Sequence, residues 1–249
     1  MPCQYLFLDQ TESTNAFLLE KPEPERVGLV VYAREQTAGK GMGANTWESA
    51  SGLNLTFSMG VDLSFLKAAD QFLLSMAVPL GMIDVLDAIV ERGMGSADSL
   101  MVKWPNDIVF RGQKLAGILI NSTIHGQMMG VSVIGIGLNV NQIQFQDWPT
   151  HPVSLKMILG HEVELEPLLR RLVDAVDRRV QLLRSVEGVA SIKKDYLDRL
   201  YRYRVWADYE VDGVKVRRFI TGIDSFGRLE TIDESGERLV YDIKEIKFV

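Results

Sequence analysis

Apolar residues of this chain recur at helical spacing in two stretches and follow strand-like patterns in several others. Between residues 66 and 90, Leu66, Ala69, Leu73, Met76, Leu80, Ile83 and Leu86 keep a helical period, which predicts one long helix. Pro79 lies inside that pattern and lacks an N–H, so a kink or a break is expected there. From 165 to 183, Leu165, Leu168, Leu169, Leu172, Val176, Val180 and Leu183 form the apolar stripe of a second helix. Residues 53–61 read as a strand, and a row of strands fills 101–141. After Arg204 the runs shorten to 205–209, 214–223, 228–232, 239–241 and 246–249, divided by Asp212-Gly213 and by turns at 224–227 and 233–236. The pattern predicts an α+β fold, a sheet layered with helices over residues 1–203, followed by a small five-stranded barrel over 204–249.

Charge enters this picture where neither pattern asks for it. Residues 103–119 read KWPNDIVFRGQKLAGIL and set Lys103, Asp107 and Lys114 among β-formers and turn residues. Pro105-Asn106-Asp107 should bend the chain between two short strands, and Lys114 opens a third, apolar run. Taken alone, a hairpin with surface lysines and a turn-capping aspartate explains this segment as well as a charged site does.

Three further segments change the balance. Residues 36–47, QTAGKGMGANTW, place Gly39, Gly41 and Gly43 around Lys40, so backbone N–H groups and one cation can approach an anion. The spacing is neither that of a P-loop nor that of a dinucleotide fingerprint, and a flexible connection would look similar. In VIGIGLNVN, from Val133 to Asn141, glycines interrupt a strand where a ligand or another backbone comes close, and Asn139 and Asn141 supply donors and acceptors. Ser13-Thr14-Asn15 precedes a short apolar run, and Ser13 suits a helix N-cap as well as a binding role.

Together these pieces resemble the biotin protein ligases, which join biotin to a lysine of a carrier protein through biotinyl-5′-AMP. The resemblance rests on the STN at 13–15, the Gly-rich loop closing on Trp47, GLNLTFSM at 52–59, KWPND with the following KLAGIL, and GIGLNVN near residue 140, in the family's order. It implies a catalytic domain like that of class II aminoacyl-tRNA synthetases, a mixed sheet layered with helices, and an SH3-like C-terminal barrel. By resemblance, Ser13, Thr14, Asn15 and Gln36 meet the biotin head, and Gly39, Lys40, Lys114 and Gly117 complete the biotin site. Lys40, Gly41, Trp47, Lys103, Asn106, Lys114 and Asn139 are the matching positions for ATP and the adenylate. Lys114, Asp107 and Lys40 are the expected catalytic residues: Lys114 stabilises charge on the acyl phosphate, and Asp107 serves the incoming lysine as base or orienting group. ATP and biotin are the implied substrates, with Mg²⁺ carried by ATP's phosphates rather than by a protein cage. The implied partner is a biotin carboxyl carrier protein, with room for a homodimer. A lipoate or octanoate ligase shares the fold, and a biotin- or adenylate-binding relative without catalysis is the non-enzymatic alternative.

The loop departs from the family pattern, in which GRG and further arginine are common. Here Lys40 replaces the first arginine and Met42-Gly43-Ala44 carries no second guanidinium. Lysine cannot form arginine's bidentate fork on phosphate.

Composition narrows the setting. A net charge of -6 argues against nucleic acid as the main partner, and with the motifs beginning at Ser13 no DNA-binding domain is expected before them. The basic residues of 170–204 alternate with Asp174, Asp177, Asp195 and Asp198, as on solvated helix faces. Cys3 is the single cysteine, which excludes an internal disulfide; no apolar stretch is expected to reach membrane-span length, and the N-terminus lacks the basic region of a signal peptide. A cytoplasmic location follows as the expectation. His125, His151 and His161 stand at no catalytic or metal-ligand spacing.

Overall fold

The structure is a computed structural model that describes residues 3–43, 45–94, 100–145 and 151–249. In chain order its elements are β1 (Gln4–Thr11), α1 (Thr14–Leu19), α2 (Glu23–Arg26), β2 (Leu29–Gln36), β3 (Leu55–Asp62) and α3 (Phe72–Met94). Next come β4 (Met101–Lys103), β5 (Asp107–Phe110), β6 (Gln113–His125), β7 (Met128–Leu138), α4 (Leu155–Leu159), α5 (Leu165–Leu182) and α6 (Val186–Arg199). The chain ends with β8 (Trp206–Val211), β9 (Val214–Ile223), β10 (Leu229–Ile232), β11 (Arg238–Tyr241) and β12 (Ile246–Phe248).

Seven strands form a mixed sheet in the order β1-β2-β3-β7-β6-β5-β4, with β1 and β2 parallel and the other pairs antiparallel. Its central strands are buried on both faces, as the near-continuous apolar runs of β3 and β7 require. Helix α3 packs with α5 and α6, and the stripe of α5 is buried through Leu168, Leu169, Leu172, Val176 and Val180. On the other face, Leu18 of α1 packs with Val31 and Val133 of the sheet. Met76 and Met82 are core residues. The five C-terminal strands form one antiparallel sheet, β11-β10-β9-β8-β12, consistent with an SH3-like domain. Its Tyr209, Ile220 and Leu229 belong to the same buried apolar cluster as α3.

Two expectations need correction around α3. The helix does not begin near Leu66: residues 68–70 form a 3₁₀ turn and α3 starts at Phe72. The backbone before it is bound elsewhere, since Met129 N donates to Leu66 O at 2.9 Å and Ala68 N to Gln127 O at 2.9 Å. Strand-like pairing of 66–68 with the β6–β7 hairpin thus outcompetes the helical period of Leu66 and Ala69. Beyond that point α3 runs through Pro79 without a break. It is also long and apolar enough to cross a membrane by length and composition, contrary to the expectation, with a mean hydropathy of 1.9 in an 18-residue window within Phe72–Arg92. In this fold that apolarity is used in packing, because α3 lies among the sheet, α5 and α6.

Candidate functional site

The site lies where α1 begins, where the loop after β2 turns, and where β5, β6 and β7 run side by side. Ser13 caps α1, its hydroxyl accepting from Ala16 N at 3.4 Å, so its capping role is realised at the cavity wall. Cap geometry exposes the next residue's amide, and Thr14 N donates to Gln36 Oε1 at 2.8 Å. Thr14 Oγ1 donates to the same oxygen at 3.1 Å and stands 2.9 Å from Ser58 Oγ. With the Thr14 proton engaged by Gln36, Ser58 is the donor in that second contact. These groups end a cavity of about 230 Å³.

The floor of the cavity is made by glycines brought together by strand register. Gly117 of β6 lies opposite Gly137 of β7, and Gly135 points to the same face two residues earlier. The Trp47 ring rests on this bare patch: a Cβ on Gly137 would overlap the indole, and one on Gly117 would lie 3.1 Å from Cζ3. A Cβ on Gly135 would lie 2.9 Å from Asn15 Nδ2. The Trp47 backbone is held from below, its main-chain N–H donating to Gly39 O at 2.9 Å, while Gly41 N donates to Asn45 O at 2.8 Å across the loop.

The charged end follows from the same register. Asp107 pairs with Gly117 across β5 and β6, and Lys103 with Asp107 across β4 and β5. Lys114 Nζ lies 2.8 Å from Asp107 Oδ1, with side chains only 25% and 17% exposed, so water screens this pair weakly. The contact is ionic but poorly aligned, because Oδ1 accepts no hydrogen bond. Lys114 Nζ also stands 5.7 Å from the Trp47 ring centroid. Lys103 is held further out, 5.3 Å from the Phe248 ring centroid. Burial holds its ammonium below the usual lysine range; Lys114 and Arg202 add to that effect and Asp107 opposes it.

Ser13, Thr14, Asn15, Gln36, Lys40, Gly41, Trp47, Asn106, Asp107, Lys114 and Gly117 all line the one cavity. Gly39, Lys103 and Asn139 do not. Gly39 is buried beneath Trp47, and Asn139 is a buried brace whose Nδ2 donates to Val153 O at 3.1 Å and Lys114 O at 3.4 Å. Asn106 lines the wall while its Nδ2 donates to Ile118 O at 2.7 Å. Ala44 lies outside the described residues. Ser58, Gly135 and Gly137 were missing from the expected site; a serine inside the apolar run LTFSM is a signal that could have raised the first, which the structure buries fully.

Buried polar atoms left without a hydrogen bond concentrate here. Asn15 Nδ2, Trp47 Nε1 and Asp107 Oδ1 belong to cavity residues, and Tyr196 and Tyr209 supply the two others among the described residues. Such groups cost free energy unless a partner meets them, and three of the five belong to residues that line this cavity. Residues 7–139 match the biotin/lipoate A/B protein ligase family. The chain belongs to that family. It is 32% identical to the biotin–acetyl-CoA-carboxylase ligase of Paracoccus denitrificans over 92% of this chain and 90% of that one. The human biotin–protein ligase is 31% identical over 93% of this chain, which spans only 32% of the human protein. Among solved structures, the Aquifex aeolicus biotin protein ligase in complex with biotin and ATP shares the fold, with a TM-score of 0.78, 20% identity and coverage of 98% and 97%.

Proposed function

We propose that this protein is a biotin protein ligase that activates biotin with ATP and transfers it to a lysine of a biotin carboxyl carrier protein. The observation that carries the reading is the polarity of one cavity: neutral hydroxyl and amide groups at Thr14, Gln36 and Ser58, and the Lys114–Asp107 ion pair at the other end of the glycine floor. A ureido ring needs donors and acceptors in equal measure, and a carboxylate meeting a phosphate needs a cation.

In this reading a biotin carboxylate oxygen attacks the α-phosphorus of ATP, the bond to the β-phosphate oxygen breaks, and pyrophosphate leaves. Lys114 neutralises charge gathering on the oxygens between carbonyl and phosphorus. The carrier amine then attacks the acyl carbon, AMP leaves, and Asp107 receives or orients the amine proton. An unperturbed lysine has a pKa of about 10.4 and is mostly protonated at neutral pH, so a carboxylate at the attack site has a task. Among the described residues the one carboxylate lining the cavity is already paired with Lys114, so Mg²⁺ belongs with ATP's phosphates and water, and no step is assigned to a protein-held ion.

ATP–pyrophosphate exchange, run in parallel with biotin and with lipoate, tests the assignment. Exchange with biotin alone is expected; exchange with lipoate alone, or biotin binding without exchange, would overturn it.

A further inference from the structure

The loop from Gly39 to Trp47 carries one cation, Lys40. A second one reaches it from the C-terminal sheet. Lys244, in the turn between β11 and β12, lays its ammonium against Gly43: a Cβ on that glycine would lie 2.6 Å from Lys244 Nζ and 3.1 Å from Cε. Gly43 has φ of 69° and Lys244 has φ of 77°, so both backbones take the left-handed conformation, costly for a lysine, that brings the two together.

The turn is built to present this lysine. Asp242 N donates to Glu245 Oε2 at 2.7 Å, Ile243 N to Asp242 Oδ1 at 2.8 Å, and Glu245 N to Asp242 O at 3.1 Å. Both neighbouring carboxylates are thereby occupied with backbone N–H groups. Lys244 forms no ion pair among the described residues, although it is flanked in sequence by a hydrophobe and an acid. Its neighbour Ile243 and the loop residue Met42 line a second cleft of about 340 Å³. Met42, Pro105, Asn106, Ile118 and Leu119 line both clefts, so the cleft beside Ile243 adjoins the ligand cavity, and Lys244 meets the loop next to Met42, at Gly43.

We propose that Lys244 is a phosphate-binding residue of the site, delivered by the C-terminal sheet where the loop has no arginine, and that it holds the polyphosphate chain of the nucleotide. The inference rests on the ligase reading for the identity of the nucleotide. A lysine acts on phosphate as a compact point charge, which suits a position reached across a turn rather than a planar fork on the loop itself.

Lys244→Gln, Lys244→Glu and Lys244→Arg, made in the full chain, test this by exchange kinetics and by calorimetric titration with inorganic tripolyphosphate. Removing a charge-assisted contact should raise the KM for ATP about tenfold in the glutamine variant and more in the glutamate variant. The KM for biotin should stay within about twofold, and arginine should restore ATP binding. Tripolyphosphate affinity should fall in parallel. An ATP KM within about twofold of the parent in both the glutamine and glutamate variants would overturn the proposal, as would equal rises for ATP and biotin. If the parent shows no exchange, the ligase reading fails by itself, and loss or retention of tripolyphosphate binding in the variants still decides the role of Lys244.

Discussion

The two ends of the cavity are built in opposite ways. At the neutral end, Thr14, Gln36 and Ser58 sit on a helix N-terminus and two adjacent strands and satisfy one another at 2.8–3.1 Å. At the charged end, Lys40 and Trp47 ride on a glycine loop, Lys244 arrives from another sheet, and the Lys114–Asp107 pair leaves one oxygen without a hydrogen bond. In the proposed reaction the first end recognises a group whose shape does not change, and rigidity there costs nothing later. The second must meet a triphosphate, then an acyl phosphate, then an amine, and groups on loops and long side chains can follow those changes.

The sharpest break in that comparison is expected from Lys114→Ala. An electrostatic group aimed at developing charge contributes roughly 10²–10³ in rate, so biotin-dependent exchange should fall by about that factor. Biotin affinity should change far less, because the neutral end is untouched. Equal losses in kcat and in biotin affinity would place Lys114 in ground-state binding alone. Asp107→Asn should act later and somewhat less: transfer to the carrier slows about a hundredfold while adenylate formation stays within about tenfold. Single-turnover transfer from preformed biotinyl-AMP separates the two steps.

Much of this contrast is legible in the sequence, and the rest is hidden for physical reasons. Strand, turn and strand around Pro105, and the five C-terminal strands, follow local rules of turn chemistry and alternation, and the structure places them within a few residues of expectation. Register does not follow local rules. Nothing in the linear pattern says that Gly117 faces Gly137, or that Asn139 turns its amide back toward Lys114 O and Val153 O. The start of α3 was misplaced for the same reason, since the backbone of 66–68 pairs with a hairpin about sixty residues later. Lys244 is the extreme case, two hundred residues from the loop it touches.

The neutral end is sharpened by Thr14→Val, which keeps shape and removes the hydroxyl that links Gln36 and Ser58. Ser58 loses its acceptor in a fully buried position. The biotin KM should rise about tenfold, with little change in the KM for ATP. A rise confined to ATP would mean that the two ends had been assigned the wrong way round.

The smallest effect is expected at Lys103, which shares its register row with Asp107 but stands outside the cavity beneath the Phe248 ring. Burial depresses its folded pKa, so the folded state binds fewer protons than the unfolded state between the folded value and the unfolded value of about 10.4. Stability therefore carries a penalty at low pH that is relieved as pH rises through that window. Lys103→Met removes the penalty and keeps the stem's packing against the ring. The variant should melt higher than the parent near pH 7, and the gap should narrow toward pH 10; exchange should stay within a few-fold. A gap that widens with pH would mean that the attraction of Asp107 outweighs burial. Lys103 would then belong to the charged end as a full member, with its carboxylate shared between two lysines.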